Sequence, residues 1–272
     1  MADNDNKQGF IRKIFSAPND DPKKTIVVAF LLCLVCSILV SISAVMFRPL
    51  QQANKANDIK KNILGVSGLL TTESDIKALF SQFEVKLVDL ETGDYSDLDP
   101  ATYNQRKASS DPARSMALST DQDIANIGRR ANLAKVYLLK ENGQLKQVIL
   151  PVHGYGLWST LYGFVSLEAD YNTIRGLQFY AHAETPGLGG EVDNPKWRKQ
   201  WQGKQAFNDA GELKIEVIRG HVSDNTADAQ HKVDGLSGAT LTSRGVSNLV
   251  RFWLSENGFG PYLMKMHARA EG

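Results

Sequence analysis

From Thr25 to Phe47 the sequence reads TIVVAFLLCLVCSILVSISAVMF, with no charged residue. At about 1.5 Å of rise per residue, a helix of this length crosses the roughly 30 Å hydrocarbon layer of a bilayer. The run is longer than the apolar region of a removable signal peptide, and no small-x-small cleavage site with suitable flanks follows it. The sequence therefore predicts a retained anchor. Lys23 and Lys24 at its entrance favour a cytoplasmic amino terminus, which puts everything after about Arg48 outside. The bias is slight, because Arg48, Lys55, Lys60 and Lys61 follow the span. The expected organisation is a cytoplasmic tail over 1–24, a transmembrane helix over 25–47, a helical stalk over 48–65 and an outer domain over 66–272.

Beyond the anchor, a hydrophobic content of 42% is ample for a packed core, and 31 Lys and Arg against 30 Asp and Glu leave no basic field for a nucleic acid. Cys33 and Cys36 both lie inside the apolar run. The outer domain can thus form no disulfide and cannot ligate an iron–sulfur cluster on its own. One helix turn apart, the two cysteines read as small apolar residues packing in lipid, with a redox pair as the other reading. Five histidines, His153, His182, His221, His231 and His267, show no zinc-like spacing, so no metal site is expected. There is no phosphate loop of the Walker type, no nucleophile elbow and no dinucleotide fingerprint, which leaves hydrolase, NTPase and direct NADH-binding readings without support.

The hydrophobic pattern predicts a helix over Leu50–Leu64 ending at Gly65, another over Glu73–Phe80, and a strand over Val85–Leu90. Thr92–Gln122 reads as loop-rich. Ala134–Leu139 and Leu145–Leu150 flank Asn142-Gly143, a strong signal for a type I′ hairpin turn. Leu161–Leu167, Ile174–Ala181 and Leu213–Arg219 read as further strands. A helix over about Thr242–Asn257 buries Val246, Leu249, Val250 and Trp253 and closes at Gly258. The sum is an α+β fold, an antiparallel sheet flanked by helices and preceded by a single N-terminal transmembrane helix.

Three glycine-rich segments carry the candidate chemistry: His153–Trp158 (HGYGLW), His182–Gly190 (HAETPGLGG) and Asp234–Thr242 (DGLSGATLT). Glycine admits a ligand close to backbone N–H groups, and each segment alone also reads as a simple turn. The third runs straight into the final helix. Its hydroxyls serve equally as helix caps or as neighbours of a phosphate bound by the unpaired N–H groups of a helix start.

Asp234-Gly235-Leu236-Ser237-Gly238-Ala239-Thr240 resembles the flavinylation motif of proteins modified by the bacterial flavin transferase. With the anchor and the other two glycine-rich segments, the chain resembles the FMN-binding C-subunit family of sodium-translocating NADH:quinone reductases over nearly its whole length. The resemblance implies FMN held by a phosphoester to Thr240, which is then a modified residue and not a catalytic one. It also implies a flavin site built from Gly154, Tyr155, Gly156, Trp158, His182, Glu184, Thr185, Gly187, Leu188, Gly189, Lys232, Val233, Asp234, Ser237, Gly238, Ala239 and Thr242. For several of these a plainer role stands beside the flavin role: Trp158 as core filler, Asp234 as a turn former, Lys232 as an exposed lysine, His182 as a satisfied loop residue, Thr242 and Ser243 as helix caps.

The implied function is electron transfer through covalent FMN toward ubiquinone, coupled to sodium export. The implied partners are the other membrane subunits, one of which binds NADH, and the flavin transferase during maturation. The implied place is a bacterial inner membrane, crossed once, with the carboxy-terminal domain periplasmic. Two rival expectations remain: a G subunit of the related Rnf complex, and an anchored scaffold in which the glycine-rich segments are only turns.

Overall fold

A helix that starts at Pro22 does not stop where the apolar run ends. In the computed structural model, which describes residues 16, 18, 20–71 and 75–271, helix α1 is assigned over Pro22–Val66 and includes both the expected anchor and the expected stalk. Pro49 sits inside it. A proline there removes one N–H donor and its ring crowds the Val45 carbonyl, a helix-interior cost of about 3 kcal/mol that the turns on either side absorb. The apolar part of α1 is long enough to cross a membrane, and its side chains, Cys33 and Cys36 among them, are exposed. The described residues divide into two compact units, one up to Ala56 and one from Asn57 onward.

The second unit is built on a six-stranded antiparallel sheet in the order β2-β1-β5-β6-β7-β8. The strands are β1 (Phe83–Asp89), β2 (Tyr95–Ser96), β5 (Leu133–Glu141), β6 (Gln144–Tyr155), β7 (Thr160–Glu168) and β8 (Ile174–Ala181). Asn142 and Gly143 both take positive φ, 52° and 80°, as the predicted hairpin requires. Side-chain alternation along β6 gives the sheet two apolar faces. Val148, Leu150 and Val152 join the main core, while Ile149 points the other way, to Ile63, Leu64 and Val66 at the end of α1. The segment expected to be loop-rich carries only short elements: β2, a short helix α3 (Gln105–Ser109) and strand β3 (Ser115–Ala117), which pairs with β4 (Arg129–Ala131). Before β1, a short helix α2 (Ile76–Phe80) is capped by Asp75; Glu73, its expected start, lies outside the described residues.

Two expectations are corrected. Of the strand expected over Leu213–Arg219, only β9 (Glu216–Val217) forms, and it pairs in parallel with β10 (Lys232–Val233) instead of joining the main sheet. The expected final helix forms but stops at Leu254, short of Gly258, and a further helix follows it. After the short helix α4 (Pro195–Lys199), α5 spans Thr240–Leu254 and α6 spans Gly260–Glu271. Between them the chain turns so tightly that a Cβ on Gly258 would lie 2.6 Å from the Phe252 carbonyl oxygen. Phe259, Tyr262 and Leu263 then bury beside Val246, Leu249, Val250 and Trp253.

Candidate functional site

Helix α5 begins without a side-chain cap. Ala239 occupies the cap position with no side chain able to accept a hydrogen bond, and the backbone N–H groups of Thr240, Leu241 and Thr242 have no partner among the described residues. A start of this kind presents unpaired donors and the positive end of a fifteen-residue helix dipole, the standing conditions for an anion. Thr240, the first helical residue, is exposed, and so are Ser237 and Gly238 before it. Gly238 has φ +70°, and a Cβ there would lie 3.0 Å from Cδ2 of Leu188, so the second glycine-rich segment borders the third at this point.

The hydroxyls proposed as phosphate donors are used elsewhere. Thr242 Oγ1 donates to Glu184 Oε2 at 2.7 Å; Ser243 Oγ donates to the Ala239 carbonyl at 3.0 Å and accepts from the Leu236 N–H at 2.8 Å. Neither hydroxyl is therefore free to donate to a phosphate at Thr240. Glu184 also accepts from the N–H groups of Leu157, Trp158 and Ser159 and from the Ser159 hydroxyl. Burial alone would raise its pKa, but these hydrogen bonds, led by that from Thr242, hold it below the usual carboxylate range. Glu184 is thus a buried knot between the three glycine-rich segments and not a surface ligand.

Several other expected contacts resolve in the same way. His182 donates from Nε2 to Asp193 at 2.8 Å and accepts the Glu184 N–H at Nδ1, so neither ring nitrogen is free for a flavin. Lys232 donates to the Ala227 carbonyl at 2.8 Å and lies 4.0 Å from Glu216 on the neighbouring strand β9, so its charge is answered by the preceding loop and its strand partner. Val233 is fully buried in the core. Asp234 accepts from Val222 N–H at 2.7 Å, from His221 at 3.0 Å and from Gln200, while its own carbonyl takes the Trp197 indole N–H. Burial opposes its ionisation, and the hydrogen bond from His221, then those from Val222 and Gln200, outweigh it and lower its pKa. Asp234 is the anchor from which the Gly235–Ala239 loop springs.

The glycines are small because the chain itself needs the space. A Cβ on Gly154 would lie 2.5 Å from Leu249 Cβ, one on Gly156 would lie 2.7 Å from Glu184 Oε1, and one on Gly189 would lie 2.6 Å from Thr242 Oγ1. Gly187, with φ +75°, and Thr185, whose carbonyl accepts from Leu188 and Gly190, form an exposed turn. What faces outward is apolar: Trp158 is 67% exposed, Leu241 51%, Leu188 44% and Tyr155 40%. Trp158 does not fill the core. These side chains and an uncapped, exposed threonine fit a cofactor with a flat ring system and an anionic tail.

A domain with this anchor and these features defines a class, the membrane-anchored FMN-binding proteins: residues 156–255 match the family model described as FMN-binding domain. Over 92% of this chain and 98% of its own length, the C subunit of the Na(+)-translocating NADH-quinone reductase of Pseudomonas aeruginosa is 48% identical. The protein of the same description from Yersinia pestis is 47% identical over 93% of this chain and 96% of its own. The crystal structure of Shewanella oneidensis NqrC superposes with a TM-score of 0.73 at 34% identity, covering 79% of this chain and 99% of that one. The chain belongs to the family of C subunits of the Na(+)-translocating NADH-quinone reductase.

Sequence reading missed two features of the site. Gly245 was not singled out, yet a Cβ there would lie 2.5 Å from the Tyr155 carbonyl oxygen and 2.9 Å from Gly156 Cα, so α5 rests directly on the first glycine-rich segment. A glycine inside an amphipathic helix was the available signal. Arg244 is exposed, its side chain makes no hydrogen bond or ion pair with the described residues, and it lies four residues beyond Thr240 on the same helix face. The i, i+4 spacing was legible, but not that the arginine would lack a partner.

Proposed function

We propose that this chain is an electron-relay subunit of a sodium-translocating NADH:quinone reductase, carrying FMN by a phosphoester to Thr240 and serving electron flow toward ubiquinone coupled to sodium export. One observation carries the reading: an exposed threonine hydroxyl stands at the uncapped start of a long helix whose first three N–H groups are unpaired. Bound FMN supplies the redox chemistry, since its ring system accepts and releases electrons. The chain's own residues place it. The N–H groups of Thr240, Leu241 and Thr242 and the Arg244 guanidinium balance the phosphate charge, and Trp158, Leu188 and Leu241 give the ring an apolar surface.

Attachment forms the Thr240 Oγ–P bond as the phosphoanhydride of FAD breaks, AMP leaves with the bonding electron pair, and the hydroxyl proton passes to the transferase or solvent. Gly238 and Ala239 leave that enzyme room to reach the hydroxyl. The domain stands on the periplasmic side of a bacterial inner membrane, anchored by residues 25–47, with other subunits of the complex as neighbours and NADH bound on one of them. The near-full-length similarity to the C subunits of these reductases supports this reading. Mass spectrometry of the Thr240 peptide, taken from cells that contain the flavin transferase, tests it. An added FMN, lost in Thr240→Ala, is expected; an unmodified peptide overturns it.

A further inference from the structure

A second site lies where β8 meets the end of α1. A cleft of about 330 Å³ is bordered there by Gly65, Gly68, Arg175, Arg198, Lys199 and Gln202, with no carboxylate among the residues that line it. Its narrow glycine wall is enforced: a Cβ on Gly65 would lie 2.7 Å from Gln178 Oε1, and one on Gly176 would lie 3.2 Å from the Val66 carbonyl. Three cations meet at this wall. Arg175 has one distant carboxylate, Glu168 at 3.9 Å. Arg198 donates from Nη2 to Gln178, while its Nε is buried without a partner. The Lys199 side chain makes no hydrogen bond or ion pair with the described residues. Asp193 attracts Arg198 through space, but burial outweighs it and depresses the guanidinium pKa.

Clustered cations at a concave, partly desolvated site repel one another, and a buried guanidinium donor without a partner adds to that cost. An oxyanion relieves the mutual repulsion, because it accepts several charge-assisted hydrogen bonds at once. We propose that this cleft is an anion-binding site, apart from the Thr240 loop, that takes one oxyanion group, a phosphate or a carboxylate. The group comes either from a dissolved anion or from an Asp or Glu of a neighbouring subunit. None of this depends on FMN attachment, so the proposal stands or falls separately from the function given above.

The test uses the full chain in detergent and, in parallel, the intact complex in its membrane. Orthophosphate is titrated into the purified chain at constant ionic strength, with chloride as the control, and followed by calorimetry. Removing one charge-assisted contact corresponds to roughly a tenfold loss of affinity, so Arg198→Gln and Lys199→Gln should each weaken phosphate binding by about that factor. Two variants on different side chains guard against one that merely misfolds. In the complex, a zero-length carbodiimide should join Lys199 to a carboxylate of another subunit if the anion is a side chain, and Lys199→Arg should abolish that adduct while keeping the charge. Saturable phosphate binding without an adduct supports a dissolved anion, and an adduct supports a protein carboxylate. Phosphate binding that is absent, or unchanged in both Gln variants, together with no adduct at Lys199, overturns the proposal.

Discussion

The Thr242 hydroxyl donates to Glu184 at 2.7 Å, and through this one carboxylate the first turn of α5 is tied to the turn after β6. The three glycine-rich segments are thereby locked to each other before any ligand arrives. Glu184→Gln keeps the shape but replaces an ionised acceptor by a neutral amide with a donor of its own. Oε1 takes the N–H groups of Leu157, Trp158 and Ser159 and the Ser159 hydroxyl, so in the variant a neutral carbonyl oxygen must hold all four, while Thr242 loses its carboxylate acceptor at Oε2. Charge-assisted hydrogen bonds are worth about 1.5–3 kcal/mol each, and the expected loss of stability is about 2–4 kcal/mol. Urea unfolding of the flavin-free domain measures it. A loss seen only in flavin-bearing protein would mean that Glu184 serves the cofactor instead.

Gly245→Ala makes a prediction of unusual sign. In an exposed helix interior this change stabilises by about 1 kcal/mol, because alanine is the better helix former. Here the added methyl would lie 2.5 Å from the Tyr155 carbonyl, a backbone atom that cannot turn aside. The helix must lift off the sheet, at a net cost of about 1–3 kcal/mol. Comparing denaturation midpoints of the two proteins checks the direction, and an unchanged or higher midpoint would contradict the close packing described.

The contrast between Gly245 and Asn142-Gly143 explains how much was legible in the sequence. A turn that needs positive φ at two adjacent residues announces itself locally, and both φ values are as the dipeptide implies. Strands β5 to β8 followed from alternation in the same way. Long-range uses of a residue leave no such mark. Glu184 reads as a loop carboxylate until its partners, 25 to 58 residues away, fold around it, and Asp234 likewise meets Gln200 from 34 residues off. Helix α6 escaped notice because Gly258 reads as an ending, and only the burial of Phe259 and Tyr262 against α5 shows the chain continuing. At the site, the motif pointed to Thr240 through resemblance, while the absence of a cap at Ala239 became visible only in the backbone.

Arg244 gives a prediction that depends on the proposed attachment. An exposed cation one turn beyond a phosphodiester contributes little, about 0.3–1 kcal/mol, and is screened by salt. Arg244→Ala should therefore leave the FMN adduct mass intact and reduce the stability gained on flavinylation by that amount at low salt. At high salt the difference should vanish. Measuring melting temperatures of flavin-bearing and flavin-free protein at two ionic strengths isolates the charge, and a deficit independent of salt would assign Arg244 a packing role.

His153 supplies the pH dependence. Its ring is stacked on Tyr162, with centroids 5.4 Å apart, and lies 4.9 Å from Trp253, while the Arg106 guanidinium sits 3.5 Å over the far face of Tyr162. Burial first, then the Arg106 charge, push its pKa down to about 4, against the opposing pull of Asp123. A histidine with a folded pKa below its unfolded value binds more protons when unfolded, so stability falls as pH drops from 7 toward 4 and levels off below that. The partly accessible edge of the ring moderates the effect, and the expected difference between pH 7 and pH 5 is about 1 kcal/mol. The lowered carboxyls of Glu184 and Asp234 add their own loss only nearer pH 4, because carboxylates in both states stay ionised above about pH 5. His153→Phe preserves a flat ring between Tyr162 and Trp253 but carries no proton. Its urea midpoint should change less between pH 7 and pH 5 than that of the wild type. Equal changes in the two proteins would show that the ring titrates as freely folded as unfolded, and that the stack does not exclude its charged form.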